Sequence, residues 1–504
     1  MTASPLKADI LLRLGGVSLV PEADITSLVT QLLSLASAMG QALRDGTPAI
    51  TETRRSSRSC RSVHNADKLQ LYAPHEPSAT GMLFAVTALI AQETVLVTHK
   101  LAVFATLLAS IVAMGGCSFP ERGTPVPQAD TSRALPLGLA NARFFADGDP
   151  KPMIEEGMRA VEREEATLEA AGKARLGQAG ARLPPVNYLA VSGGGDNGAF
   201  GAGLMNGWTE TGTRPEFKMV TGVSTGALIA PFAFLGSDYD ATLREVYTTM
   251  SPEKVYRARG ISAALYNDAM ADTTPLSQVI AGYADQKMFD AIAREYQKGR
   301  LLMIGTTDLD AQRPVIWNIG ALAASLHPGA LDLFRKILRA SAAIPGAFQP
   351  VLIDVEIDGR KYQEMHVDGG AIAQLFLYPA SIDLSKSGVR RVRHAYIIRN
   401  APLDPDYSAS ERRTISIAGR AINTMLAASG QNDVLRTYFV TQRDGVDYNL
   451  AYIGTDFRAP KTGEFDQVYM NALYRYGYQQ AKSGRAWHKT PPSLETPTMV
   501  PVKP

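Results

Sequence analysis

The fold this sequence predicts is a three-layer α/β/α sandwich with a largely parallel central sheet, and three observations lead to it. From residue 186 onward, short apolar runs alternate with helical patterns. Two of those runs end in glycine-rich turns that open helices, the strand–turn–helix unit of parallel sheets. At 504 residues, 45% hydrophobic and 20% charged, the chain is long and apolar enough for one large domain with appendages.

Taken in order, Tyr188-Leu189-Ala190-Val191 reads as a buried strand leading into Ser192-Gly193-Gly194-Gly195-Asp196-Asn197-Gly198. Phe200, Leu204 and Trp208 then recur at i, i+4 and i+8, as on one face of a helix. A second apolar run, 217–220, leads into Gly222-Val223-Ser224-Thr225-Gly226. Residues 301–304 and 315–317 read as strands, 330–340 as a helix and 395–398 as a late strand. Beyond Asn400, 412–428 and 465–481 have helical patterns, with 448–453 extended between them. These boundaries give a core domain over 186–400 and a C-terminal elaboration of it over 401–504. No internal repeat is visible.

The chemistry lies in the turns. Gly222 to Gly226 has the layout of a nucleophile elbow, in which a strand ends, the backbone turns sharply and the serine is left at the apex. The string alone means little in a chain with 43 glycines; its neighbours give it weight. A glycine-rich strand-to-helix turn exposes N–H groups beside the positive end of a helix dipole, where developing negative charge is stabilised. Gly193, Gly195 and Gly198 also fit a dinucleotide fingerprint, but the second strand closes on a serine where that fingerprint needs a carboxylate. Nor does Gly198-Ala199-Phe200 supply the lysine and hydroxyl of a Walker A loop. Downstream stands His366-Val367-Asp368-Gly369-Gly370.

With GGGDNG at 193–198, GVSTG at 222–226 and DGG at 368–370, the chain resembles the patatin-like phospholipase family of serine acyl hydrolases. Residues 340–348, Ala-Ser-Ala-Ala-Ile-Pro-Gly-Ala-Phe, resemble the segment that often precedes that family's aspartate. The resemblance implies a lipid acyl hydrolase with a lipid or acyl-ester substrate, Ser224 as nucleophile and Asp368 as general base. It also implies an oxyanion hole of backbone N–H groups at Gly193, Gly194, Gly195 and Gly198. One departure stands out: Asn197 occupies the position where the family has a basic residue. Two other readings stay open at this point. One is a Ser-Asp-His triad of the α/β-hydrolase type using His394 or His488, with His366 bordering the site; the other is a non-catalytic lipid-binding module.

A net charge of +2 gives no electrostatic case for nucleic acid. With only two cysteines and no metal-binding string, the sequence implies neither metal nor cofactor. The N-terminal part differs in character, and residues 1–100 read as an atypical extension. Lys100 is followed by an apolar stretch, Gly115-Gly116 and Cys117, so 101–117 resembles a bacterial lipoprotein signal with Cys117 as the lipidated residue. A start codon placed further in would account for its position; alternatively, uncharged residues 101–120 form a marginal membrane span. Either reading predicts a membrane-anchored enzyme on the non-cytoplasmic side of a bacterial envelope, working at a membrane surface. Residues 118–185 read as a tether, with Pro125, Pro127 and Pro136, and an amphipathic helix striped by Ile154, Met158, Val161 and Leu168.

Overall fold

The computed structural model describes residues 121–172, 183–259, 268–405, 407 and 409–495. The segment 101–117, with Cys117, lies outside the described residues, as does the extension before it.

Nine strands form one mixed sheet: β1 (Arg143–Phe145), β2 (Val186–Val191), β3 (Phe217–Val223), β4 (Leu301–Asp308), β5 (Arg313–Asn318), β6 (Val351–Ile357), β7 (Arg360–Asp368), β8 (Arg393–Arg399) and β9 (Asp447–Tyr452). The main order is β1-β5-β4-β3-β2-β8-β9, and the five strands from β4 to β9 run parallel. β1, β5 and the β6–β7 hairpin are antiparallel additions on the β4 side. The period-2 alternation of the strands divides their apolar side chains between two cores. Leu189, Val220, Leu302, Ile304 and Trp317 face one core; Ala190, Met219, Met303, Ile316 and Ile397 face the other. Helices flank both faces, which gives the three expected layers.

The first core is covered by α2 (Gly198–Glu210), α3 (Thr225–Leu235), α5 (Ala330–Ser341) and α7 (Gln467–Lys482), among shorter helices such as α4 (Asp240–Thr248). On the opposite face lie α1 (Lys151–Ala170) and the C-terminal half of α6 (Thr414–Arg443), which contributes Val434. α7 packs lengthwise on α2, and β9 extends the parallel sheet, so residues beyond 400 share the same cores.

Two expectations need correction. The proline-containing stretch read as a tether is instead laid along the β6–β7 hairpin. Thr124 accepts from the Gln363 N–H, and Leu135 and Glu356 exchange backbone hydrogen bonds. In α1 the expected apolar stripe is not the buried one: Ile154 and Met158 face solvent, while Met153, Glu156 and Ala160 are buried. A polar anchor sets the rotation. The Glu156 carboxylate is fully buried and takes hydrogen bonds from Arg163, Arg159 and the Tyr296 hydroxyl. Leaving that charge buried without its partners would cost more than exposing two apolar side chains.

Candidate active site

A strand junction builds the site. Along one edge of β4, residues 301–305 pair with β3 in parallel, and Val223 at the end of β3 lies opposite Gly305. Past that point β3 turns away, and β7 takes the vacated edge from the other direction, with Asp368 opposite Thr306. β3 and β7 therefore meet head to head on neighbouring residues of β4. Ser224 follows the last residue of one strand, and Asp368 is the last residue of the other.

Ser224 has φ 55° and ψ −126°, a left-handed backbone that a serine adopts only under constraint. The constraint is the tightness of the elbow. A Cβ on Gly226 would land on the Val191 carbonyl oxygen, and one on Gly222 would collide with the Gly226 backbone. α3 begins immediately after Ser224, so its N-terminal dipole points at the serine.

Ser224 and Asp368 are 7% and 5% exposed, and the Ser224 hydroxyl lies near enough to the Asp368 carboxylate to favour its charged form. Burial pushes the Asp368 carboxyl up to about 7, against the opposing effects of the Ser224 hydroxyl and the Gly370 N–H, which donates to Oδ1 at 2.7 Å. A carboxylate near neutrality is a competent proton acceptor at physiological pH, where an ordinary aspartate is not.

The segment 340–348 holds both halves together. Ser341 Oγ accepts the Ser224 N–H at 2.9 Å and donates to the Gly305 carbonyl at 2.7 Å. Ala343 accepts the Asp368 N–H at 2.9 Å. The resemblance at this segment thus coincides with a clamp, although its sequence gave no sign of which residue would do the holding.

The glycine loop closes the site from β2. A Cβ at Gly193 would stand 3.2 Å from Ser224 Cβ, so this loop borders the serine directly. Its four expected N–H donors are not equivalent. The Gly193 N–H is already given to the Gln374 carbonyl, and the Gly198 N–H to Gly195 and Asp196 within the 3-10 turn. In this conformation those two N–H groups are engaged within the fold. No backbone hydrogen bond among the described residues engages the N–H of Gly194 or Gly195. The N–H of Thr225, first in α3, is one of the donors that a helix start leaves free, and the sequence reading did not include it.

Several polar residues that sequence reasoning missed tie the loop to the rest of the site. The Gln374 N–H donates to buried Asp433 at 2.6 Å, and its side-chain amide donates to the Gly370 carbonyl at 3.2 Å. Arg399, also buried, approaches Ser192 Oγ, the Gly193 carbonyl and Gln374 Oε1 at 3.3–3.4 Å. Burial lowers the Arg399 guanidinium to about 10, still cationic at neutral pH, with Asp433 pulling the other way. A cation thus stands beneath the glycine loop even though position 197 lacks one. Asn197 accepts a hydrogen bond from the Tyr469 hydroxyl, and Asp196 is paired with Lys461 at 2.9 Å.

Two of the three histidines lie elsewhere, and His366 borders the site. His394 opens β8, at the opposite end of the parallel strands from Ser224, and pairs with Asp447. His488 bridges Leu450 on β9, three strands from β3, or about 14 Å at ordinary strand spacing. It helps line a separate cavity of about 390 Å³ with Phe200, Tyr452, Asp456, Tyr476 and Arg485. This placement removes the Ser-Asp-His reading. His366 is buried two residues before Asp368, between Thr306 at 3.0 Å and Glu364 at 3.1 Å.

Among the described residues, Asp308, Glu364 and His366 are close enough to share a cation. Arg143 already fills that role, with two hydrogen bonds to the Glu364 carboxylate. Burial would raise Glu364, but the His366 hydrogen bond and the Arg143 charge outweigh it and hold the carboxyl down to about 2. Glu364 is thus paired with Arg143 and His366, and Asp308 accepts the N–H groups of Asp310 and Ala311.

No curated protein matches the chain. Among solved structures the chain is similar to VipD from Legionella pneumophila at 12% identity, covering 60% of this chain and 67% of that one, with a TM-score of 0.29. It is also similar to the type III effector protein ExoU at 14% identity, covering 61% of this chain and 54% of that one, with a TM-score of 0.17. The match thus spans little more than half of ExoU. The family model described as Patatin-like phospholipase matches residues 189–381, a span that holds the glycine loop, the elbow and Asp368, and this part of the chain is a patatin-like phospholipase domain.

Proposed function

We propose that the protein is a serine hydrolase of lipid acyl esters working through a Ser224–Asp368 dyad. The observation that carries this reading is the meeting of a strained elbow serine and a buried carboxylate, lifted to about 7, at the ends of two strands on neighbouring residues of β4. In the forward step Asp368 takes the Ser224 proton as Oγ attacks the ester carbonyl carbon. The carbonyl oxygen becomes an oxyanion, which the N–H groups of Gly194, Gly195 and Thr225 are available to receive, each worth about 3 kcal/mol of transition-state stabilisation. Collapse breaks the ester bond, and Asp368 returns its proton to the departing alcohol. Water, deprotonated by Asp368, then attacks the acyl-serine and releases the fatty acid with Ser224 restored. The domain match supports lipids as the ester class.

The test is intact-lipid profiling after incubation of the purified chain with mixed phospholipids and lysophospholipids, beside a chromogenic short-chain ester. Fatty acid should appear in stoichiometric balance with a deacylated lipid. A chain that binds these lipids and hydrolyses neither them nor the ester would instead be a binding module.

We further propose that the chain is anchored at a bacterial envelope membrane through lipidated Cys117, on the strength of the Lys100 flank, the apolar stretch and Gly115-Gly116 before the cysteine. Expression in a bacterial host should yield a mature chain beginning at an acylated Cys117, read by mass spectrometry of the N-terminal peptide. A mature chain retaining residues before Cys117 would refute the lipoprotein assignment.

A further inference from the structure

β2 and β8 run parallel and end side by side, Val191 opposite Ile398, which brings Ser192, Arg399 and Asn400 together where the glycine loop begins. The Ser192 hydroxyl is fully committed there. Its oxygen accepts the Asn400 N–H at 2.9 Å and Arg399 Nη1 at 3.3 Å, so its one proton goes to the Gly193 carbonyl at 2.7 Å. Arg399 Nη1 also stands 3.4 Å from that carbonyl. The Gly193–Gly194 peptide is trans, so the Gly194 N–H projects from its opposite edge. No acceptor among the described residues takes that N–H, and Gly194 is half-buried where Ser192 and Gly193 are buried. The peptide has little room to turn over, because Gly194 lies against the end of β8 so closely that a Cβ on it would collide with the Asn400 carbonyl.

The Arg399 charge is largely unspent. The side chain is buried, its contacts at 3.3–3.4 Å are long and all to neutral oxygens, and its Nε has no partner. No carboxylate among the described residues forms an ion pair with it; Asp433, whose charge it feels, is paired with Arg436 at 2.7 Å. A buried charge with so few partners is costly to keep. An oxyanion forming on the far edge of the Gly193–Gly194 peptide would complete the balance. Arg399 and the Ser192 hydroxyl draw electron density toward the Gly193 oxygen, which makes the Gly194 N–H a stronger donor. A donor fixed in place beforehand also costs no reorganisation when the negative charge develops.

We propose that Ser192 and Arg399 are positioning residues that fix and polarise the Gly193–Gly194 peptide, so that the Gly194 N–H is the oxyanion donor of the glycine loop. The inference rests on the Ser224–Asp368 reading, and its test separates transition-state from ground-state binding. In the full chain, Arg399→Met should lower kcat for a chromogenic short-chain ester by about a hundredfold and Ser192→Ala by about tenfold, with KM within about twofold. Because Arg399 uses one terminal nitrogen rather than a two-pronged fork, Arg399→Lys should be about tenfold more active than Arg399→Met. A long-chain trifluoromethyl ketone is the first ligand: Ser224 Oγ adds to its carbonyl carbon, Asp368 takes the proton and the ketone oxygen becomes negative. Each variant should bind it more weakly by the factor lost in kcat/KM. The second ligand is a lipid with an ether in place of the ester; it presents no carbonyl and should bind all variants alike. Unchanged kcat in both Arg399→Met and Ser192→Ala, equal weakening of the two ligands, or Arg399→Lys no more active than Arg399→Met would each overturn the proposal. Thermal melts identify the folded variants, and if Arg399→Met does not fold, Ser192→Ala decides by the same two ligands. An unsubstituted chain that hydrolyses no ester would defeat the proposed activity and this inference with it; an active chain whose variants keep their kcat defeats this inference alone.

Discussion

Ser224→Ala should abolish labelling by a fluorophosphonate probe and lower ester turnover by about 10⁴-fold or more. The size follows from the chemistry. Without Oγ no acyl-enzyme can form, and only the N–H groups around the site and substrate binding remain to favour direct attack by water. The fold should survive, because the backbone contacts of the elbow do not use the hydroxyl. The Ser224 N–H still reaches Ser341, and the Ser224 carbonyl still caps the start of α3. Intact-protein mass spectrometry with the probe, alongside a thermal melt, separates lost chemistry from lost folding. Labelling that persists in a folded Ser224→Ala chain would mean that another residue is the nucleophile.

The elbow, the glycine loop and Asp368 were legible in the sequence because each is a local motif whose glycines answer a steric demand made by neighbours in the same turn. The parallel strands were legible for a similar reason, since buried strands are continuous apolar runs. What brings Ser224 and Asp368 together was not legible. The β6–β7 hairpin inserts antiparallel into a sheet read as largely parallel, and its pairing with β4 spans about sixty residues of chain. Ser341, Gln374, Arg399 and Asp433 are single polar residues in ordinary surroundings; only tertiary contact gives them meaning. The α1 stripe was misread because apolar periodicity takes no account of a buried charge network such as that around Glu156. The tether was misread because proline-rich composition is compatible with a strand edge as well as with a free linker.

Asp368→Asn should lower turnover by about 10³-fold while making the protein more stable at alkaline pH, and the two effects share one cause. Asparagine keeps the shape and the hydrogen-bonding capacity of the side chain but cannot accept the Ser224 proton. In the unsubstituted enzyme, kcat/KM should rise with pH along an acid limb centred near 7, where Asp368 ionises, far above the ~3.9 of a free aspartate. Stability runs the opposite way. Because the folded pKa is raised, the native state holds its proton more tightly than the unfolded chain does. The stability that this confers is complete below about pH 4 and is lost as pH rises through about 7. A shift of about three units corresponds to roughly 4 kcal/mol of destabilisation at pH 8. Asp368→Asn escapes that cost, so its denaturant midpoint should exceed that of the unsubstituted protein at pH 8 and the difference should shrink toward pH 4. Two titrations decide the matter: initial rates against pH, and urea midpoints of both proteins across the same range. An acid limb centred below about pH 5, together with a midpoint difference that does not change with pH, would show that Asp368 ionises like an exposed carboxylate. The dyad would then lose its base.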